Sequence, residues 1–371
     1  MAVVSVKKTC PEMVVADYHE ILKSAGYKNQ ISPKNKTILK LNLSWTLFFP
    51  ACSTPPWQLD GVLKTLKDAN YQDILAVENK KGINHPWKGA YLNKWLPILE
   101  KHGTLFEPLE SVKWVEYQPK SEMMVLDKVM VPEIFLDSNV IHFPTMKTHG
   151  HTTITGAMRN VWGGIIASQD MDSPEKIHEV LVDLLAIQQE LHSGVMAVMD
   201  GGVCGNGSGP RAMVPSIGNI IMASSDQVAI DAVAAKIMGF DPLSIDYIKM
   251  AHDNGLGIGD VDEIEIVGMD KSELNELNFN FKATLSPVIS WDQRIRKQTS
   301  TVKWLNNFLF NSSIYKALKF ASDFYYDHLW YPFLGTERLK MFHKTKWGEL
   351  FRKYEYGSFS QFKEVEDWDP Y

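Results

Sequence analysis

The sequence predicts an α/β protein, a largely parallel sheet flanked by helices, followed by a helical C-terminal extension rich in aromatic residues. Three observations carry this. Strand-like runs alternate with helix-like runs over short links, the grammar of α/β units. Those strand-like runs hold valine, isoleucine and leucine without strict alternation, as strands buried on both faces do. From about residue 280 the alternation stops, and Trp291 to Glu355 carries 12 Lys/Arg against 6 Asp/Glu in a chain of net charge −6. Because 371 residues exceed one ordinary core, we divide the chain into a main body, 1–275, and an extension, 280–371.

In chain order, "CPEMVVADYHEILKSAGY" is an amphipathic helix closed by Gly26. "KTILKLNLS" is a strand, "TPPWQLDGVLKTLKDANY" a proline-opened helix, and "DILAVENK" the next strand. "NVIHFP" is a further strand. Ser173-Pro174 supplies an N-cap and first helical position for a helix whose apolar face runs from Ile177 to Leu191 and which Gly194 ends. "VMAVMD" follows as a buried strand, then the glycine-rich loop "GGVCGNGSGPR" and the strand "IGNIIMASS". Asp226 or Ser225 caps the helix "QVAIDAVAAKIM", closed by Gly239, before the helix "LSIDYIKMAHDNG" and the strand "EIEIVG". The scattered methionines are core filler. The aromatics of the extension are expected to pack on the main body. A peripheral membrane or protein-partner surface there is the less favoured reading.

Composition excludes several classes. Hydrophobic content of 45% and charged content of 22% describe a globular protein. The negative balance argues against nucleic acid as the main partner. Cys10, Cys52 and Cys204 form no CxxC and no zinc-spaced set, which fits a reducing compartment. The N-terminus shows no signal-peptide pattern, and no apolar run is long enough to cross a membrane. The chain reads as cytoplasmic.

Ligands of open α/β sheets bind beyond the carboxyl ends of the strands. Lys40 and Asn42 lie at one such exit, and Glu78 and Asn79 follow another. Lys147, His149 and His151 follow "NVIHFP", while Asp200 and the glycine loop with Arg211 follow "VMAVM". Lys147 and His149 alternate with Thr148 and so share a strand face, either as an anion-binding and proton-transfer pair or as structural residues. His149 and His151 form an H-x-H that could chelate a metal, although no third ligand stands at a clear spacing. A helix opening at Thr153 or Thr155 would aim free N–H groups at the same space, with Arg159 and Asn160 on its first turns. In the glycine loop, Gly207 and Gly209 belong either to a connector or to backbone that approaches a phosphate or carboxylate. Cys204 has no mark of a nucleophile. Asp231 reads as a buried acid, bonding the glycine loop or a basic group of the cleft.

The stretches "ILKLNL", "TMKTHGHTTITGAMRNVWGG", "MDGGVCGNGSGP", "SSDQVAIDAVAAKIMGFDP" and "GLGIGDVDEIEIVG" together resemble, in order, the domain-of-unknown-function 362 family over roughly residues 36 to 270. The resemblance implies that Lys40, Asn42, Lys147, His149, Gly156, Asn160, Asp200, Gly209, Pro210, Asp226 and Asp231 hold the family's recurrent positions. Thr145 and Arg159 stand where the family has lysine, and Asn206 and Ser208 replace the glutamate and asparagine of its glycine loop. Many members carry a ferredoxin-like cysteine segment, which this sequence lacks, so no iron–sulfur cluster is expected. The K-x-H run is also similar, more loosely, to lactate racemase-like proteins, which bind a nickel-containing cofactor between two α/β lobes. That likeness implies a two-lobed body and an enzyme. The sequence identifies no cofactor of its own.

These readings combine into one expectation, a cleft for a small anionic ligand. Lys40, Lys147 and Arg159 would hold the negative charge, with Asn42, Asn160, Gly207, Gly209, Arg211 and Asp231 lining it. His149 would move a proton and Asp200 would orient a basic partner, in an isomerisation or in a redox step with an external donor. The alternative is a non-catalytic binding or assembly protein that recruits a partner through its extension.

Overall fold

The computed structural model describes residues 2–80, 84–162, 164, 176–287, 290, 294 and 324–357. Its strands are β1 (Val3–Lys8), β2 (Thr37–Lys40), β3 (Ile74–Glu78), β4 (Leu105–Pro108), β5 (Trp114–Tyr117), β6 (Val129–Pro132), β7 (Asn139–His142), β8 (Thr145–His149), β9 (Thr153–Ile154), β10 (Gly194–Ser208), β11 (Ala212–Ser224) and β12 (Glu265–Val267). Ten join in one sheet of order β12-β1-β11-β10-β7-β2-β3-β4, with β8 on β10 and β9 on β8. Strands β5 and β6 form a separate pair.

From β10 to β4 every neighbour is parallel. The strands β2 and β7 are buried throughout, as the unbroken apolar runs predict. Antiparallel contacts lie on the other flank, where β11 pairs with β10 and β1, and between β8 and β9. β1 joins two segments distant in sequence, and the sequence assigned no element to its residues.

Helices α1 (Val14–Ser24) and α3 (Pro56–Asp68) pack on one face of the sheet, α2 (Tyr27–Gln30) being one short turn between them. On the same side of the chain lie α4 (Pro86–Leu92) and α5 (Leu96–Lys101). Helices α6 (Ile177–Leu191), α7 (Gln227–Met238) and α8 (Asp246–Asp253) cover the opposite face, and α9 (Lys271–Glu276) follows. Asp226, not Ser225, caps α7, its carboxylate accepting from the amides of Val228 and Ala229. α6 ends at Leu191 and Gly194 already opens β10. The expected cap Ser173-Pro174 lies outside the described residues.

From residue 324 the described part of the extension is a π-helix, Tyr325–Gly335, continued by α10 (Thr336–His343) and α11 (Lys346–Lys353). Its inner aromatics pack on the main body. Trp45 meets Tyr331 at 5.1 Å and Trp330 at 6.0 Å, and Phe48 stacks on Phe351 at 3.8 Å. Trp347 lies against Trp57 and donates to Asn219 Oδ1 at 2.8 Å. Among the described residues no helix is long and apolar enough to cross a membrane.

Trp347 is buried and joins α11 to the sheet and to α3. Trp347→Ala is therefore expected to lower the unfolding free energy by about 3–5 kcal/mol, the range for a large aromatic removed from a core. Urea denaturation measures it, and a loss below 1 kcal/mol would show that the extension is not integral to the fold.

Candidate functional site

The exits of β2, β3, β8 and β10 enclose a continuous set of buried polar side chains. Lys40, the last residue of β2, places its ammonium 2.8 Å from Glu78 Oε1, and also donates to its neighbour's carbonyl, Leu41 O. Both side chains of this pair are almost fully buried. Burial raises the Glu78 carboxyl while Lys40 opposes the shift. The charge of Lys40 is thus already answered within the fold, by a residue that the sequence placed at a strand exit without assigning it a role.

Lys147 is different. Its ammonium donates to Asn42 Oδ1 at 2.6 Å, Cys52 O at 2.7 Å and Thr145 Oγ1 at 2.8 Å. All three acceptors are neutral, which satisfies its hydrogen bonds but not its charge. Burial brings its pKa down to about 8, and the nearby charge of Arg159 pushes the same way. Asn42 passes the chain on to Asn160 Oδ1 at 3.1 Å, and Asn160 donates to Lys40 O at 2.9 Å. Lys40, Asn42, Lys147 and Asn160, far apart in sequence, therefore form one network.

Arg159 lies beside this network, its guanidinium 5.6 Å from the centre of the Trp162 ring. One terminal nitrogen, Nη1, is buried with no hydrogen-bond partner among the described residues. Burial lowers its pKa to about 10, with Tyr247 opposing. Two cations, the buried Lys147 and the half-buried Arg159, thus stand without a carboxylate within ion-pair distance among the described residues.

On the other side of Thr145 a small cleft is lined by Ser53, Trp57, Thr145 and Asp200 and bordered by Phe48 and Phe342. Asp200 Oδ2 accepts from Tyr18 at 2.6 Å and from Trp57 Nε1 at 2.7 Å, while Oδ1 accepts from the Gly202 amide. Among the described residues no basic group is oriented by it, in contrast to the expected role; its partners are neutral donors. Burial raises its pKa to about 6 against these hydrogen bonds. Ser53 Oγ, also buried, has no partner among the described residues. Tyr18, Trp57 and Ser53 were invisible to the sequence reading because their meeting with Asp200 is purely tertiary.

The segment after β8 departs from expectation. No helix opens at Thr153 or Thr155. The strands β8 and β9 form a short hairpin, and only a 3₁₀ turn, Met158–Val161, follows. The amides at its start are taken by Asp231, whose oxygens accept from Ala157 at 2.5 Å and Met158 at 3.2 Å, with Tyr247 OH on Oδ2 at 3.3 Å. The anion at this backbone is a side chain of α7. Asp231 accordingly holds the turn rather than the glycine loop or a ligand, and burial raises its pKa to about 7. Gly156 is required there, since a Cβ at that position would land on the Asp231 carboxylate.

The glycine-rich stretch is not a loop. It continues β10 to Ser208, pairs residue by residue with β11, and carries a bulge between Gly201 and Val203. Gly207 O accepts from Thr148 Oγ1 and the Thr284 amide. Gly209 lacks a Cβ because Thr148 O occupies that space. At Gly209 the close approach for which a glycine is suited is made by β8. Arg211 Nε donates to Ser44 O, and its guanidinium faces the Tyr326 ring of the extension.

His142 is a core residue, bonded to Gln188 at 2.7 Å and lowered to about 3 by burial. His149 is buried on the same strand as Lys147, but its Nδ1 accepts from the His151 amide, so a neutral ring carries its proton on Nε2. No hydrogen bond joins it to Lys147, whose donors are spent on other groups. The His149 and His151 rings are 5.8 Å apart. Among the described residues no group of three or more His, Cys, Asp or Glu is arranged to hold a metal ion. Burial raises the thiols of Cys52, to about 11, and Cys204.

A mostly parallel sheet with a buried Lys–Asn–Asn chain across its strand exits defines an α/β protein with a polar strand-end site. The profile of the family described as "Domain of unknown function (DUF362)" matches residues 37–236, more than half of the chain, and the chain belongs to that family. The Thylakoid-associated protein sll1697 of Synechocystis sp. is 25% identical over 248 residues, covering 63% of this chain and 71% of its own length. A crystal structure of a protein from Thermotoga maritima aligns with 57% of this chain and 55% of its own, at 12% identity and a TM-score of 0.34.

The raised Asp200 carboxyl makes a prediction with a definite sign. Its ordinary value is 3.8 and its folded value about 6, so the folded state binds the proton more tightly. The stabilisation from this group is present below about 4 and lost as pH rises through about 6. Two units correspond to about 3 kcal/mol. The unfolding free energy of the wild type minus that of Asp200→Asn should fall across this window, and a flat difference would show that Asp200 titrates normally.

Proposed function

We propose that the strand-end site binds a small anionic molecule, a carboxylate or phosphate, and transfers a proton on it. The observation that supports this reading is the pair of cations, buried Lys147 and half-buried Arg159, neither of which has a described carboxylate within ion-pair distance. Burying an uncompensated charge costs several kcal/mol. A fold that keeps two such charges side by side is compensated when an anion arrives. Lys40, paired with Glu78, takes the lesser part in holding that anion, in place of the equal share expected from the sequence.

Lys147 is also the better placed group for the proton. With a pKa of about 8 it exchanges a proton near neutral pH, where general acid–base catalysis is most effective. His149 would act behind it by ordering the turn at His151. The neutral donors around Asp200, together with its value of about 6, suit a second group that changes protonation near neutrality. Free thiols at Cys10, Cys52 and Cys204 support a reducing compartment, and hence the cytoplasm.

Thermal unfolding with inorganic phosphate and with small carboxylates tests this reading. Binding should raise the Tm in a saturable way, by about 2.7 kcal/mol of stability at a hundredfold excess over Kd. The effect should weaken as pH rises through about 8, because Lys147 then loses its charge. Arg159→Leu should retain or gain stability in the free protein, since it removes an unanswered charge, while losing at least tenfold in anion affinity. Equal anion stabilisation of the wild type and Arg159→Leu, or none in either, would refute the reading.

A further inference from the structure

The continuous helix from Phe324 through α10 has two apolar faces. The inner one holds Tyr326, Trp330, Gly335 and Phe342, all buried against the body. The outer one holds Phe324, Leu329, Phe333, Leu334 and Met341, with Phe333 and Met341 each 69% exposed and Leu334 54%. The spacing makes the outer residues one stripe. In the π-helical part, bonded i to i+5, residues 324, 329 and 334 follow one side. Seven residues, two α-helical turns, then lead from 334 to 341. Single exposed apolar residues are ordinary, but a row of this length on a helix that has already satisfied its core is not.

We propose that this outer face docks on an anionic phospholipid bilayer. Charge selects the occupant. Residues 324–357 carry Arg338, Lys340, Lys344, Lys346, Arg352 and Lys353 against Asp327, Glu337, Glu349 and Glu355, a positive balance in a chain of net charge −6. Lys340 and Lys344 flank Met341 and are exposed. Glu337 pairs with Lys340 at 2.7 Å and Glu12 with Lys346 at 3.4 Å, leaving Lys344 as the rim cation with no ion pair among the described residues. Long lysine stems can lie along the acyl boundary while their ammonium groups reach the headgroups. A second copy on the same face would bring like-charged rims together, because a two-fold contact sets each patch against itself. A convex stripe of phenylalanine, leucine and methionine on one helix also suits a flat apolar surface better than a pocketed protein one.

Flotation of the full chain with vesicles tests this. The chain should rise with phosphatidylglycerol-containing vesicles and not with pure phosphatidylcholine, and high salt should reduce the bound fraction. F333S/L334S and K340E/K344E should each lower the bound fraction at least tenfold. All four positions are exposed, so their denaturation curves should match the wild type. A wild type that does not float, or variants that float equally well, would overturn the assignment. So would a dimer, seen by light scattering without lipid, that F333S/L334S abolishes; that result would give the face to a second copy. Phosphate binding at Lys147 is measured separately and does not depend on this outcome.

Discussion

The position of the Lys147 ammonium is the constraint on which the strand-end site depends. A buried ammonium must find acceptors for its protons, and here they come from three parts of the chain: Asn42 after β2, the Cys52 carbonyl in the following loop, and Thr145 on its own strand. Each acceptor fixes something else. Asn42 donates its backbone amide to Thr54 Oγ1 and its side-chain amide to Asn160 Oδ1. Thr145 donates to Ala51 O, so the segment that roofs the site is held at two neighbouring carbonyls. A lysine with neutral acceptors orders the loop as well as a salt bridge would, and leaves its charge available.

The second fixed point is Asp231. A carboxylate on α7 occupies the amides of Ala157 and Met158, so the turn carrying Arg159 and Asn160 is clamped to the helix layer on the far face of the sheet. Arg159 is thereby held near enough to Lys147 to add to the lowering that burial imposes on the lysine. The turn spends its amides on a protein acid, and the positive groups it presents are side chains. The positive groups at this end of the sheet are therefore the side chains of Lys147 and Arg159.

Much of this was legible in the sequence, for identifiable reasons. The parallel strands could be read because Ile38, Leu39, Val140 and Ile141 are buried on both faces and their composition shows it. Asp226 and Gly239 were legible because caps are local: one carboxylate meets two amides within three residues, and one glycine takes a left-handed φ of 99°. The glycine stretch misled because glycine signals turns by default. Here the absent side chains let β8 approach β10, an intermolecular-looking closeness made within one chain. The partners of Asp200 were illegible since Tyr18 and Trp57 lie 182 and 143 residues away, and nothing in a tyrosine on an amphipathic helix says that its hydroxyl will meet a carboxylate.

The extension links the site to the surface of the molecule. Its inner aromatics press on Trp45, Phe48 and Phe49, which belong to the loop whose carbonyls at Ala51 and Cys52 receive Thr145 and Lys147. Phe342 itself borders the Asp200 cleft. The helix is therefore the outer wall of a chain of contacts that ends at the two titratable groups of the site. Close packing transmits displacement because dense interiors have little free volume to absorb it. Trp330 and Phe342 are among the residues through which this helix touches the roofing loop at Trp45, Phe48 and Phe49. The same residues that hide the site from water thus give its cover one defined handle, and place that handle on the basic, apolar side of an otherwise acidic protein.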